Sequence, residues 1–322
     1  MKLGIWGGLV GLGVMLCSAP DTLAQGLTFG IVGKTKNDIN FERAWQGCLH
    51  AAEKDGNQCV FIGALGSANP RSQVVAIKEA LASQHFDALA ISVTKSDYVA
   101  EALKDVQVPI ITFDSPFEEQ DRGLSRGYVG IDNQEVGEHL AEIAKQLYPQ
   151  GAHICLMTAA NESNLDMRMI GIRSTLSQDD SFAIDQKLDG EHGWYECSRS
   201  PWNTADSIAR TMDELSFTLE EIKPDALLST GHWPIANISQ FYRTIAPFRD
   251  DLTSGQTKLL VVVGEVEGID ELLEQKLVHG YVKINFADIG VLSYKIMLAI
   301  AENRAIPSVS YIQNFTTRYV GP

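Results

Sequence analysis

Short apolar runs alternate with helical patterns along this chain, and midway the alternation stops and starts again, which few folds can accommodate. Leu27–Val32 reads as a buried strand. Phe41, Ala44, Trp45, Cys48, Leu49 and Ala52 then fall on one helix face, at i, i+3, i+4, i+7, i+8 and i+11. Cys59–Leu65 is the next strand and Arg71–Gln84 the next helix. Ala88–Val93 and Pro109–Asp114 are strands, with a helix over Asp97–Asp105 between them. This βαβα order is the signature of a parallel sheet with helices on both faces.

The second series begins with a strand at His153–Thr158, a helix at Asp166–Ser177 and an expected strand at Ala183–Leu188. Thr204–Leu215 reads as helix, Ala226–Thr230 as strand and Pro234–Ile245 as helix. Strands at Leu259–Gly264 and Gly280–Ile284 and a helix at Ile289–Glu302 complete it. The fold class is therefore α/β, with two doubly wound parallel-sheet lobes in 322 residues. Ligands of such sheets sit at the carboxyl ends of the strands. Two lobes facing each other would share a cleft there, where small molecules usually bind.

Residues 1–24 read as an export signal rather than as part of either lobe. Lys2 supplies a positive start, Leu3–Leu16 an uncharged apolar run, and Thr22-Leu23-Ala24 before Gln25 a cleavage site. Lipid attachment at Cys17 is disfavoured by the bulk of Leu16. No later segment is apolar enough to span a bilayer, so a soluble periplasmic protein is expected. A net charge of −15 argues against nucleic acid or an anionic membrane surface as partner. Cys48, Cys59, Cys155 and Cys197 remain after the signal, and in an oxidising compartment they allow three disulfide pairings or buried free thiols. Cys48 lies late on the first helix and Cys59 opens the next strand, while Cys155 and Cys197 fall in neighbouring segments of the second lobe. The expected pairs are Cys48–Cys59 and Cys155–Cys197.

Two motifs mislead. Gly123-Leu124-Ser125-Arg126-Gly127 matches a nucleophile elbow, but a charged loop precedes it and a strand, Tyr128–Ile131, follows, the reverse of the context that chemistry needs. Gly8-Leu9-Val10-Gly11-Leu12-Gly13 has the letters of a dinucleotide loop but lies inside the export signal. The seven histidines have no zinc spacing. No catalytic residue, metal or cofactor is expected.

Polar residues where strands end carry more weight. Asp114 closes Pro109–Phe113 and Ser92 follows Ala90-Ile91. A carboxylate at such a tip can accept hydrogen bonds from two ligand hydroxyls. Asp38 stands at the start of the first helix, as a cap or as a ligand contact. Arg168 sits near the start of a helix after the Thr158–Asn164 loop and would offer a rigid fork of donors. Trp202 would either stack on the apolar face of a sugar or pack between elements, and His232 beside Trp233 would touch ligand or solvent.

Several segments together carry a family resemblance. Gly33-Lys34-Thr35 through Phe41-Glu42-Arg43-Ala44-Trp45-Gln46-Gly47, Pro109–Asp114, Tyr128-Val129-Gly130-Ile131-Asp132-Asn133 with Gly137, and Arg168-Met169-Ile170-Gly171 are its most specific pieces. Over residues 27–315 the chain resembles the type I periplasmic binding proteins of sugar ABC transporters, the group typified by the bacterial ribose-binding protein. The resemblance implies that Asp38, Phe41, Ser92 and Asp114 line the first lobe's side of the cleft. It places Arg168, Trp202, Gly231 and His232 on the second lobe's side, with Asn285 as a polar contact at the hinge. Three crossings are expected, at Gly130–Asn133, Asn285–Phe286 and Ile306–Pro307. They divide the chain into a first lobe of residues 25–130 plus 286–306 and a second of 131–285 plus 307–322.

Departures from the family pattern bear on the ligand. Asn40 replaces the usual stacking aromatic, Gly231-His232-Trp233-Pro234 replaces an Asn-Asp pair, and Glu265 and Glu267 flank the position of the usual acid. The implied function is capture of a small polar ligand, a carbohydrate by family habit, for an inner-membrane ABC permease. The alternative is the same capture on behalf of a membrane sensor kinase or chemoreceptor. A monomer without nucleic-acid partners is expected.

Overall fold

Thr28–Val32 (β1) is buried along nearly its whole length, as a central strand of a parallel sheet must be. It belongs to a computed structural model that describes Met1 and residues 26–159, 162–312 and 315–321. The expected export signal lies outside the described residues. After β1 come Ile39–Lys54 (α1), Gln58–Ile62 (β2), Pro70–Ser83 (α2) and Ala88–Ile91 (β3). Ser96–Leu103 (α3), Ile110–Phe113 (β4) and Tyr128–Gly130 (β5) complete the first run. Its strands lie in the order β5-β4-β3-β1-β2, all parallel.

The second run opens with Asn133–Leu147 (α4), His153–Thr158 (β6), Ser163–Ser177 (α5), Tyr195–Glu196 (β7), Trp202–Asn203 (β8) and Ile208–Phe217 (α6). Ala226–Ser229 (β9), Ile238–Ile245 (α7) and Arg249–Thr253 (α8) follow. Lys258–Val263 (β10), Ile269–Glu274 (α9) and Gly280–Ile284 (β11) end it. These strands lie β11-β10-β9-β6-β7, with β8 also paired to β6. The chain then returns: Phe286–Ala301 (α10) packs on α1 of the first lobe, and Val309–Tyr311 (β12) adds beside β5. Phe315–Tyr319 (β13) finally pairs antiparallel with β11 in the second sheet.

The chain thus passes between lobes at Gly130–Asn133, at Asn285, and a last time between Tyr311 and Phe315. The crossing expected at Ile306–Pro307 is displaced, because β12 is hydrogen-bonded to Tyr128–Gly130 and keeps residues 309–311 with the first sheet. Ala183–Leu188 is a second correction: it forms turns instead of a strand. Arg173, only 2% exposed, explains its course. The guanidinium grips Glu196 through Nε and Nη2, at 3.0 and 2.8 Å, and Nη1 donates to the Ile184 carbonyl. That carbonyl finds its partner in a side chain, which a sheet ladder would otherwise supply. Among the described residues no helix is long and apolar enough to cross a membrane.

Two disulfides staple the lobes internally. Cys48–Cys59 ties α1 to β2 with Cα atoms 6.0 Å apart, and Cys155–Cys197 ties β6 to the segment after β7 with Cα atoms 5.0 Å apart. In a chain-entropy picture the first, closing 11 residues, stabilises by about 3 kcal/mol and the second, closing 42, by about 4 kcal/mol. Urea unfolding of Cys48→Ala/Cys59→Ala and Cys155→Ala/Cys197→Ala measures these losses. The second double variant is expected to lose more.

Candidate ligand-binding site

The carboxyl ends of β1 and β4 in one lobe face those of β6, β9 and β10 in the other. Between them lies a cleft of about 800 Å³. Lys34 and Asp114 reach it from the first lobe, Glu162 and Arg168 from the second.

Asp114 follows β4 in a left-handed backbone conformation, φ 58°, which Asp tolerates better than most residues. Ser92 Oγ donates to Asp114 Oδ2 at 2.9 Å, and Tyr128 Oη donates to the Asp114 backbone carbonyl at 3.0 Å. Ser92 is fully buried behind this carboxylate and is absent from the cavity wall. Its part is to hold Asp114.

Arg168 is 5% exposed and fixed from two sides. Its Nε donates to Asn133 Oδ1 at 2.9 Å and its Nη1 to the Thr230 carbonyl at 2.8 Å. Helix α4 approaches α5 so closely that a Cβ on Gly137 would stand 2.0 Å from the Arg168 carbonyl oxygen. A side chain at 137 would force α4 and α5 apart and shift the Arg168 backbone. Sequence therefore places this guanidinium twice, through the Asn133 acceptor and through the missing Cβ.

Lys34 Nζ pairs with Glu162 Oε2 across the cleft, with only 8% and 16% of the two side chains exposed. A second bond joins the lobes where the Glu265 backbone N–H donates to Asn40 Oδ1 at 3.2 Å. Gly264 makes this approach possible, since a Cβ there would overlap Asn40 Oδ1. Burial pulls the Lys34 pKa down, but the carboxylates of Glu162 and Asp114 outweigh it and hold it above the ordinary lysine value. Burial pushes Glu162 up, and the ammonium of Lys34 more than reverses that. Asp114 stays above the usual carboxylate range because burial exceeds the help of Lys34, Arg168 and Ser92. Asp206, hydrogen-bonded to Glu162, is pushed up to about 6 by burial and by that neighbouring carboxylate. Trp233 Nε1 donates to Asp206 Oδ1 at 2.8 Å and works the other way.

Asp38, Phe41, Asp114, Arg168, Gly231 and His232 all border the cavity. Asp38 also caps α1, accepting from the Asn40 N–H at 2.9 Å. Trp202 is a correction. Its ring meets Phe217 edge-on at 5.7 Å with Arg199 over both rings, and it packs against the second lobe's core away from the cleft. Trp233 supplies the aromatic surface on that wall instead. Asn285 is also corrected: it caps α10, accepting from the Asp288 N–H, and only its neighbours Ile284 and Phe286 reach the cavity. Ser125, in the false nucleophile elbow, donates to the Gly127 carbonyl at 2.7 Å and lies outside the cleft wall. Glu162, Asn164 and Asp206 escaped the sequence reading. Applying the strand-end rule to the loop after β6 would have found Glu162 and Asn164, whereas Asp206 follows a two-residue strand with no legible pattern.

The family model described as "periplasmic binding protein domain" matches residues 29–305. Among solved structures, a solute-binding protein from Agrobacterium vitis bound with α-D-tagatopyranose superposes with a TM-score of 0.75 at 17% identity, covering 91% of this chain and 94% of that one. One from Burkholderia graminis in complex with D-arabinose gives 0.73 at 18% identity, with 92% and 96% covered. A glucose-galactose binding protein from Geobacillus stearothermophilus gives 0.74 at 14% identity, with 91% and 97% covered. A search of curated proteins returned no significant match.

Removing the ammonium between Asp114 and Glu162 leaves like charges facing each other from opposite lobes. Lys34→Met is therefore expected to hold the lobes further apart without ligand. Small-angle scattering should give a larger radius of gyration than the parent's, and an unchanged radius would show that the ion pair does not govern closure.

Proposed function

We propose that this chain, which belongs to the periplasmic binding protein family, captures a small polyhydroxylated ligand such as a sugar between its lobes and delivers it to an inner-membrane ABC permease. The observation that carries this reading is the pairing of Asp114 and Arg168 on opposite walls of one cleft, each held by buried partners. A carboxylate accepts from ligand hydroxyls and a guanidinium donates to ligand oxygens, so a polyol touches both lobes at once. The sugars bound by the tagatose and arabinose complexes support this ligand class.

Such a protein performs no covalent chemistry. Ligand touching both walls binds the closed form better than the open one and shifts the equilibrium by that difference. The permease would read the closed surface. The apolar run before Gln25 and the two disulfides support export through a cleaved signal into an oxidising periplasm.

A thermal-shift screen of sugars and polyols identifies a ligand, since one at about 100 times its Kd adds roughly 2.7 kcal/mol of stability. With that ligand, each charged contact contributes about 1.5–3 kcal/mol. Asp114→Ala and Arg168→Ala should each weaken binding roughly 10- to 150-fold by calorimetry. Ser125→Ala should bind like the parent. If both cleft variants also bind like the parent, the ligand site lies elsewhere.

A further inference from the structure

Of the cleft's two cations, one is paired with a carboxylate and the other is held by neutral acceptors. Lys34 pairs with Glu162, and Arg168 donates to Asn133 and Thr230. Against them stand six carboxylates on the cavity wall, those of Asp38, Asp114, Glu162, Asp206, Glu265 and Glu267. Lys283 answers Glu265 at 3.1 Å. Glu162 and Asp206 lie close enough on the same wall for each carboxyl to act on the other.

A separate observation points to a ligand. Asn164, two residues after Glu162 and only 5% exposed, lines the same cavity, and its Oδ1 is buried without a hydrogen-bond partner. A buried acceptor of this kind needs a donor. The wall around it includes the rings of Phe41, Trp233 and Phe286, surfaces compatible with a cation. Among the described residues no group of three or more His, Cys, Asp or Glu side chains is placed to hold a metal ion.

We infer that the ligand is a small hydroxylated molecule bearing a protonated amine, such as an aminated sugar, its ammonium received by Asp206 and Glu162 and its neighbouring N–H or O–H by Asn164 Oδ1. This rests on the capture reading above and narrows it. Asp114 and Arg168 hold the hydroxylated body, and the carboxyl pair selects for charge. N-acetylation would remove that charge and leave the ring unchanged, so the selection is chemical rather than one of shape alone.

The test is calorimetry on the parent protein with D-glucosamine, D-galactosamine and D-mannosamine, each against its neutral hexose and its N-acetyl derivative. Choline, a quaternary ammonium with no N–H, and spermidine, a polyamine, serve as cations without a sugar ring. At least one aminated hexose should bind about tenfold or more tighter than both its neutral counterparts. In Asp206→Asn that preference should collapse, with the melting temperature reporting that the variant is folded. Neutral hexoses binding as well as or better than the amines would overturn this inference and leave the sugar reading standing. Choline or spermidine binding while no sugar does would keep the cationic selection and overturn the sugar reading. A preference that survives Asp206→Asn, or no binding by any amine, would overturn the inference.

Discussion

Ionised groups of both signs, most of them nearly buried, meet between the lobes, and the rest of the structure is arranged around that. Each lobe contributes at least one charge of each sign: Lys34 and Asp114 from the first, Glu162 and Arg168 from the second. A buried ion pair comes close to breaking even, because desolvation offsets most of its Coulombic gain. Opening the cleft returns these groups to water and closing it returns them to each other. An apolar seam of the same area would favour closure far more strongly. If the lobes open and close as proposed, joining them by Lys34–Glu162 and the Asn40 hydrogen bond instead of an apolar seam leaves a ligand's contacts able to decide between the two states.

The fold holds these charges by steric devices as much as by bonds. Parallel strands end at the cleft, so the loops after β1, β4, β6, β9 and β10 reach it. Gly137 lets α4 press against the Arg168 backbone, and Gly264 lets Asn40 reach the second lobe. Ser92 and Tyr128 hold Asp114 in a left-handed turn. Gly137, Ser92 and Tyr128 support the site without lining the cavity.

Sequence reading recovered what depends on strand ends and on residue type. Asp114, at the end of β4, follows from that rule, Arg168 on the cleft wall from its place near a helix start, and the two-lobed α/β architecture from the repeated alternation. Trp202 did not follow, because its direction depends on β8 pairing with β6 in the register Met157–Trp202, and a two-residue strand shows no alternation. Asp206 was hidden for another reason. Ala205 and Asp206 adopt consecutive positive φ values, 49° and 53°, and alanine gives no hint of such a turn. β12 is three residues at a sheet edge, too short to announce itself, and so the last crossing was placed early. Asn285 was assigned to the ligand when its local position favours a helix cap.

Ligand seated between Asp114 and Arg168 would touch both lobes at once. A crystal structure of the protein with the sugar or amino sugar that most raises its melting temperature tests this directly. Ligand density is expected within hydrogen-bonding distance of the Asp114 carboxylate and the Arg168 guanidinium, with Glu162, Asn164 and Asp206 alongside. Density confined to one lobe, or lying outside this cleft, would contradict it.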